Sequence, residues 1–456
     1  MIEIGSRLQL FTDDHLIDSI DGLSLRLHSP TPRETVLTFD QPWEGYLCGY
    51  PAIVPHGDGW RMYYRGWPDE KGTAYVCIAD SSDGIEWTRP EAGVFEFEGS
   101  AANNIVLSDD TMPGERGAHN FCPMLDTRDG VPDDERYRAV AYGPNVGERL
   151  RSLCAFASAD GVTWRALNNG EPVFRGKTWR VMLDSQNVAF WHEEAGEYRL
   201  YGRNWVGAVR HIFLSRSDDF INWSEPQSLD FGEAPLENLY TNSIVPYFRA
   251  PELLIGFLKR FIPQRRVVEG WPSDGLSEAV FMSSRDGLRW HRHLEAFIRP
   301  GLGEQRWTER SYMVTRGIIP TGEAELSIYW MEDYRRPAPR MVRGTLRTDG
   351  FVSVNAPFAG GEFVTKPLTF EGGRLLLNAS TSAAGSIRVE MQDERGRPLP
   401  GMSLADCPEI YGDGLELEVP WPLNPSLPRW EGVPVRLRFA MKDADLYALR
   451  FAHPEE

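Results

Sequence analysis

The chain has 456 residues, 41% hydrophobic and 25% charged, a composition that excludes a disordered or membrane-embedded protein. Its net charge of −18 excludes nucleic acid or an anionic membrane as the main partner, since both demand a basic footprint, and leaves a neutral or weakly charged ligand. The five cysteines (Cys48, Cys77, Cys122, Cys154, Cys407) form no CxxC pair, so neither a zinc site nor a disulfide framework is expected, and free thiols fit a reducing compartment. With no basic-then-apolar leader and no apolar run of about 18 residues, a cytoplasmic location is expected.

Along the chain, the first clear unit is a hairpin: Pro51-Ala-Ile-Val-Pro, the turn His56-Gly-Asp-Gly, then Trp60-Arg-Met-Tyr-Tyr-Arg. Ser82-Asp83-Gly84-Ile85-Glu86-Trp87 follows. It recurs as Ala159-Asp160-Gly161-Val162-Thr163-Trp164, Asp218-Asp219-Phe220-Ile221-Asn222-Trp223 and Arg285-Asp286-Gly287-Leu288-Arg289-Trp290, with a worn copy at Thr348-Asp349-Gly350-Phe351. Ser81, Ser158, Ser217 and Ser284 precede the four full copies. Each copy follows a short alternating strand, and Asp-Gly supplies the left-handed backbone of a tight turn. A spacing of roughly 60–80 residues between copies accommodates four strands plus loops, the unit of a propeller.

Five units are therefore expected, at about residues 44–105, 118–175, 183–230, 238–300 and 309–355. The alternative is a set of unrelated hairpins in one large sandwich. After Asn355 the repeat stops, and runs such as Arg374-Leu-Leu-Leu-Asn, Leu415-Glu-Leu-Glu-Val and Val435-Arg-Leu-Arg-Phe alternate with turns, as in a sandwich. The expected fold is all-β: a five-bladed β-propeller over residues 1–355 and a C-terminal β-sandwich over 356–456. Most of the 15 Trp suit repeated core positions, although such a surplus also suits sugar stacking.

Propeller followed by sandwich resembles the glycoside hydrolase superfamily containing families 32, 43, 68 and 130, with the layout of family 32. Gly372-Gly-Arg-Leu-Leu-Leu-Asn, Ile387-Arg-Val-Glu-Met-Gln-Asp-Glu-Arg-Gly-Arg-Pro-Leu-Pro-Gly and Asp443-Ala-Asp-Leu-Tyr-Ala-Leu carry the likeness in the tail. The Trp-x-Asn-Asp-Pro, Arg-Asp-Pro and Glu-Cys motifs of family 32 are missing, so activity on fructosides is not implied. The repeat is also similar to the Asp box of sialidases, from which it differs by one deleted residue.

In a propeller the starts of the innermost strands converge on the axis, which makes their polar residues the candidate site. The five segments are Trp43-Glu44-Gly45-Tyr46, Ala118-His119-Asn120-Phe121, Leu183-Asp184-Ser185-Gln186-Asn187, Leu239-Tyr240-Thr241-Asn242 and Thr308-Glu309-Arg310-Ser311-Tyr312. Glycosidic cleavage needs one carboxylic acid and one carboxylate as base or nucleophile. The resemblance implies three acids from the first three blades, but the second blade here offers His119 and Asn120 instead. Asp184 and Glu44 are the expected principal pair, with Glu309 third. Each has a structural alternative: a surface loop carboxylate for Glu44, a turn cap for Asp184, and a pair with Arg310 for Glu309.

His119 is a candidate general acid, sugar ligand or structural histidine. Trp43, Asn120, Gln186, Asn187, Tyr240 and Asn242 are expected to contact sugar. Arg65, Arg203, Arg260 and Arg310 are expected to bind a charged group or to pack between blades. The repeat aspartates Asp83, Asp160, Asp219 and Asp286 belong to turns, because a residue recurring in every blade is explained by the turn it builds. No metal-binding or phosphate-binding motif occurs, so no metal or cofactor is expected.

The leading expectation is an exo-acting glycoside hydrolase on a small oligosaccharide or furanoside. A family 130 type phosphorylase is predicted if basic groups stand beside the carboxylates, and a sialidase-like enzyme if three arginines meet a tyrosine activated by a glutamate. A non-catalytic glycan-binding or protein-interaction propeller is the alternative from another class.

Overall fold

The computed structural model describes residues 1–453 except Glu115, Arg149, Trp179 and 422–426. Among the described residues the regular structure is strand, with a few short 3-10 turns, and no helix is long and apolar enough to cross a membrane. The chain divides into two compact units. One comprises Pro30–Tyr247 and Pro251–Thr345, the other Met1–Ser29, Phe248–Ala250 and Leu346–Glu456.

The larger unit is the five-bladed propeller. The first blade runs Gly49–His56, Gly59–Gly66, Tyr75–Ser81 and Ile105–Ser108, each strand antiparallel to the last. Blades two to four begin at Cys122–Leu125, Val188–His192 and Asn238–Tyr247 and repeat the meander. The fifth holds Met313–Val314, Glu325–Glu332 and Arg340–Arg347, and its outer strand is Thr31–Thr38 from the other end of the chain. That strand closes the ring. It lies outside the segment 309–355 expected for this blade, because a pairing across some three hundred residues leaves no local trace in sequence.

The repeat explains itself in the turns. Ser81 Oγ accepts the Gly84 N–H at 2.8 Å, and Asp83 Oδ1 accepts those of Ile85 and Glu86 at 2.8 and 2.9 Å. Trp87 Nε1 then donates to the Gly84 carbonyl at 3.1 Å. The other copies repeat this network around Asp160, Asp219 and Asp286. Phe220, at φ 70°, takes the left-handed position that glycine fills elsewhere. The same carbonyls receive tyrosines from the preceding blade: Tyr63 donates to Gly161 at 2.7 Å, Tyr201 to Gly287 at 3.0 Å, and Tyr329 to Gly84. Apolar side chains of adjacent blades fill the space between them, as where Val54 and Tyr63 meet Phe121 and Phe156. All five cysteines are buried and unbridged.

The second unit is one eight-stranded sheet plus a parallel pair, Ile2–Gly5 with Leu368–Phe370. Its spine is Arg436–Ala452 paired along most of its length with Arg374–Gln392, their register breaking between Thr381 and Ser386. Both halves of the long strands feed one core, Leu375 and Leu377 from one and Val389 and Met391 from the other. Ile17–Asp21 and Ser24–Leu27 join this sheet, so residues 1–29 belong here and not to the propeller, a boundary that differs from the division expected at residue 355.

Candidate functional site

Within the propeller unit a cavity of about 390 Å³ is walled by residues of all five blades, which puts it on the axis. Tyr50 and Arg65 come from the first blade, His119 and Tyr142 from the second, Asp184 from the third, Tyr240 and Lys259 from the fourth, and Arg310 and Tyr334 from the fifth. Strand starts supply several of these, because the innermost strands of the blades converge there.

Asp184 presents a carboxylate whose side chain is 47% exposed, gripped from behind by Arg203. Arg203 is itself buried and stacked 4.9 Å over the Tyr240 ring. The Asp184 loop is clamped: Asn120 Nδ2 donates to the carbonyls of Leu183 and Ser185 at 2.6 Å, and Asn187 Nδ2 to the same two at 2.8 Å. Gln186 donates to Pro51 O at 3.0 Å and Asn242 to Gln186 O at 3.3 Å. These four amides are fully buried ties between inner strands and do not face a sugar as expected, since backbone groups crowded at the axis must be satisfied.

Other expected residues lie elsewhere. Glu44 does not line the cavity: its buried carboxylate accepts Arg89 Nε at 2.8 Å and Nη2 at 2.9 Å, Tyr64 Oη at 2.5 Å and Gln41 N at 3.0 Å. The pair Asp184 and Glu44 is therefore not assembled there. Glu309 is 2% exposed, bound to Arg335 at 3.1 Å and to the Trp271 indole, with Arg335 rather than Glu309 at the cavity wall. Trp43 donates to Asn104 at 2.7 Å, and Arg260 pairs with Glu278 at 2.5 Å; neither lines the cavity.

His119 does line it, between the rings of Tyr50 and Trp67 at 5.6 and 5.2 Å. Burial, then the nearby guanidinium groups of Arg65 and Arg116, push its pKa well below the usual histidine value, so the ring is neutral. Arg65 is held flat between the same two rings, 4.8 and 4.9 Å from their centroids, and donates to Leu47 O at 2.7 Å. Its Nη1 stands 3.1 Å from both imidazole nitrogens, and its Nη2 donates to Tyr334 Oη at 3.3 Å.

The lining is strongly cationic. Among the described residues, Arg65, Arg116, Arg151, Lys259, Arg310 and Arg335 face it against only Glu70 and Asp184. Glu70 is taken by Arg335 at 2.6 Å and Asp184 by Arg203. Among the described residues, no carboxylate stands within ion-pair distance of Arg65, Lys259 or Arg310. Arg65 and Lys259 are 3% and 1% exposed. Burial, then Arg310 and Arg203, push the Lys259 amine well below its ordinary pKa. Among the described residues no cluster of His, Cys, Asp and Glu could hold a metal.

Lys259, Tyr50, Trp67 and Tyr334 were not expected at the site. Strand alternation was the available signal for Lys259: neighbours on a strand face opposite ways, so Lys259 turns to the cavity where Arg260 turns to Glu278. Tyr50, Arg310 and Arg335 have φ of 53°, 65° and 65°, a left-handed backbone that such side chains rarely adopt and that no sequence pattern announces.

No protein-family model and no curated protein matches the sequence. Similar solved structures include one from work on family 130 mannoside phosphorylases and hydrolases that target β-1,2 mannosidic linkages in Candida mannan. It is 14% identical, with 73% of this chain and 96% of the other covered at a TM-score of 0.43. Others are an α-L-arabinofuranosidase from Fusarium graminearum with an iminosugar inhibitor (11%; 70% and 98%; 0.44) and an endo-arabinase from Bacteroides thetaiotaomicron (12%; 69% and 98%; 0.43).

Proposed function

We propose that the protein is a carbohydrate-active enzyme that breaks a glycosidic bond in a small saccharide bearing a negative charge, bound in the axial cavity. The supporting observation is the group Arg65, Lys259 and Arg310, three basic side chains lining the cavity with no carboxylate partner among the described residues. Burial and the neighbouring arginines disfavour the charged form of Lys259, and an anionic ligand reverses that effect. Trp67, Tyr240 and Tyr334 supply ring faces and phenols for the sugar. In hydrolysis or phosphorolysis Asp184, a partly exposed carboxylate lining the cavity, is the group we assign to exchange a proton with the glycosidic oxygen.

This reading replaces the weakly charged ligand that the net charge suggests with an acidic one, because the cavity's field opposes that of the whole chain. The same cations favour a second reading, phosphorolysis, in which inorganic phosphate attacks the bond. Thermal shift with glucuronate and galacturonate oligosaccharides, their carboxyl-reduced forms and inorganic phosphate tests both. Acidic saccharides should raise the Tm and neutral ones should not, and Lys259→Met should weaken binding about tenfold or more. Where the bond is hydrolysed or phosphorolysed, Asp184→Asn should lower turnover more than affinity. Release of a sugar phosphate that depends on added phosphate would decide for phosphorolysis, and no response to any anion would overturn both.

A further inference from the structure

The sign of the cavity's charge bears on how the bond breaks, once an acidic saccharide is accepted as the ligand under the reading above. Hydrolysis builds positive charge on the sugar ring and calls for two carboxylates facing the bond. Here, among the described residues, the two carboxylates that line the cavity are each held by an arginine, and Arg65, Lys259 and Arg310 have no carboxylate partner. Such a field opposes an oxocarbenium ion and favours a transition state in which negative charge develops.

Arg65 gathers the groups that such a reaction needs. Its guanidinium touches the His119 imidazole on one side and the Tyr334 hydroxyl on the other, so a base, a cation and a phenol stand together on the cavity wall. Lys259 and Arg310 face the same space, and Arg310 keeps its place there in a strained left-handed backbone.

We infer that the protein cleaves 4-linked uronic acid saccharides by β-elimination, with Arg65, Lys259 and Arg310 binding the uronate carboxylate, His119 as the base and Tyr334 as the acid. The proton on C5, next to the carboxylate, passes to an imidazole nitrogen of His119. The C–H electron pair becomes the C4=C5 double bond, and the C4–O4 bond breaks with its electrons going to oxygen. O4 leaves with the Tyr334 proton. His119 afterwards releases its proton to solvent and Tyr334 regains one, so no water is consumed and no co-reactant is needed. The cations carry the charge that spreads onto the carboxylate while the C–H bond is breaking.

The test incubates the full chain with 4-linked oligogalacturonate and oligoglucuronate, and with their carboxyl-reduced counterparts, in ¹⁸O-labelled water. The expected result is the ultraviolet absorbance of a conjugated unsaturated uronate, with product masses that sum to the substrate, no ¹⁸O, and no reaction of the reduced forms. A substrate carrying deuterium at C5 should react more slowly with the wild-type protein, a readout that depends on no variant. His119→Gln and Tyr334→Phe should each lower kcat about a hundredfold with KM little changed. Products carrying ¹⁸O and no ultraviolet signal would overturn elimination while leaving the acidic-saccharide reading intact. Failure of the acidic saccharides either to bind or to react would overturn both.

Discussion

The four repeat turns and the axial cavity of the same propeller handle charge in opposite ways. In the turns every aspartate meets its donors within a few residues: Asp219 Oδ1 accepts Ile221 N and Asn222 N at 2.8 and 2.7 Å and the Ser217 hydroxyl at 3.0 Å. Although burial pushes its pKa up, these donors hold it at about 2. In the cavity Arg65, Lys259 and Arg310 are gathered from three blades and given rings and carbonyls but, among the described residues, no carboxylate. Charge satisfied locally repeats from blade to blade and builds the frame. Charge left over converges from different blades and is there for a ligand.

The sharpest way to break this contrast is at Glu44, which lies on the frame side despite its place beside the axis in sequence. Glu44→Ala strands the Arg89 guanidinium and should cost about 3–5 kcal/mol of stability, seen as a fall in denaturation midpoint. Its folded fraction should turn over substrate at the wild-type rate, and a stable but inactive variant would move Glu44 into the site. A smaller loss, about 1 kcal/mol, is expected for Asp219→Ala, which removes a cap-like acceptor from one turn. Chemical denaturation measures it, and an equal loss of ligand binding would show that the turns and the cavity are not separate. The smallest effect is an expected constancy. His119 has a pKa depressed below the ordinary histidine value of about 6.5, so its neutral form persists as pH falls through that value, and kcat/KM should hold between pH 7 and 6. A fall with a midpoint near 6.5 would mean that the cations do not act on it.

Much of the frame could be read in advance, because Ser81, Asp83, Gly84 and Trp87 bond to one another and must recur together wherever that turn is built. The site was less legible. Asp184, His119, Tyr240 and Arg310 were reached by locating strand starts, and all four line the cavity. Asn120, Gln186, Asn187 and Asn242 were reached the same way but turned inward to backbone carbonyls, a choice set by which strand lies opposite. Glu309 and Arg310 are adjacent in sequence, and the backbone bend at Arg310 sends one into an ion pair and the other to the cavity.

Sequence by itself determined the repeating turn, the all-β character and the number of blades, since these rest on hydrogen bonds and alternation spanning a few residues. Only the tertiary structure decided that Thr31–Thr38 closes the fifth blade, that residues 1–29 join the C-terminal sheet, and that Arg65, Lys259 and Arg310 line one cavity with no carboxylate partner among the described residues. These are facts of long-range pairing, in which the energy of a charge depends on which distant neighbour arrives beside it, and no local pattern encodes that neighbour.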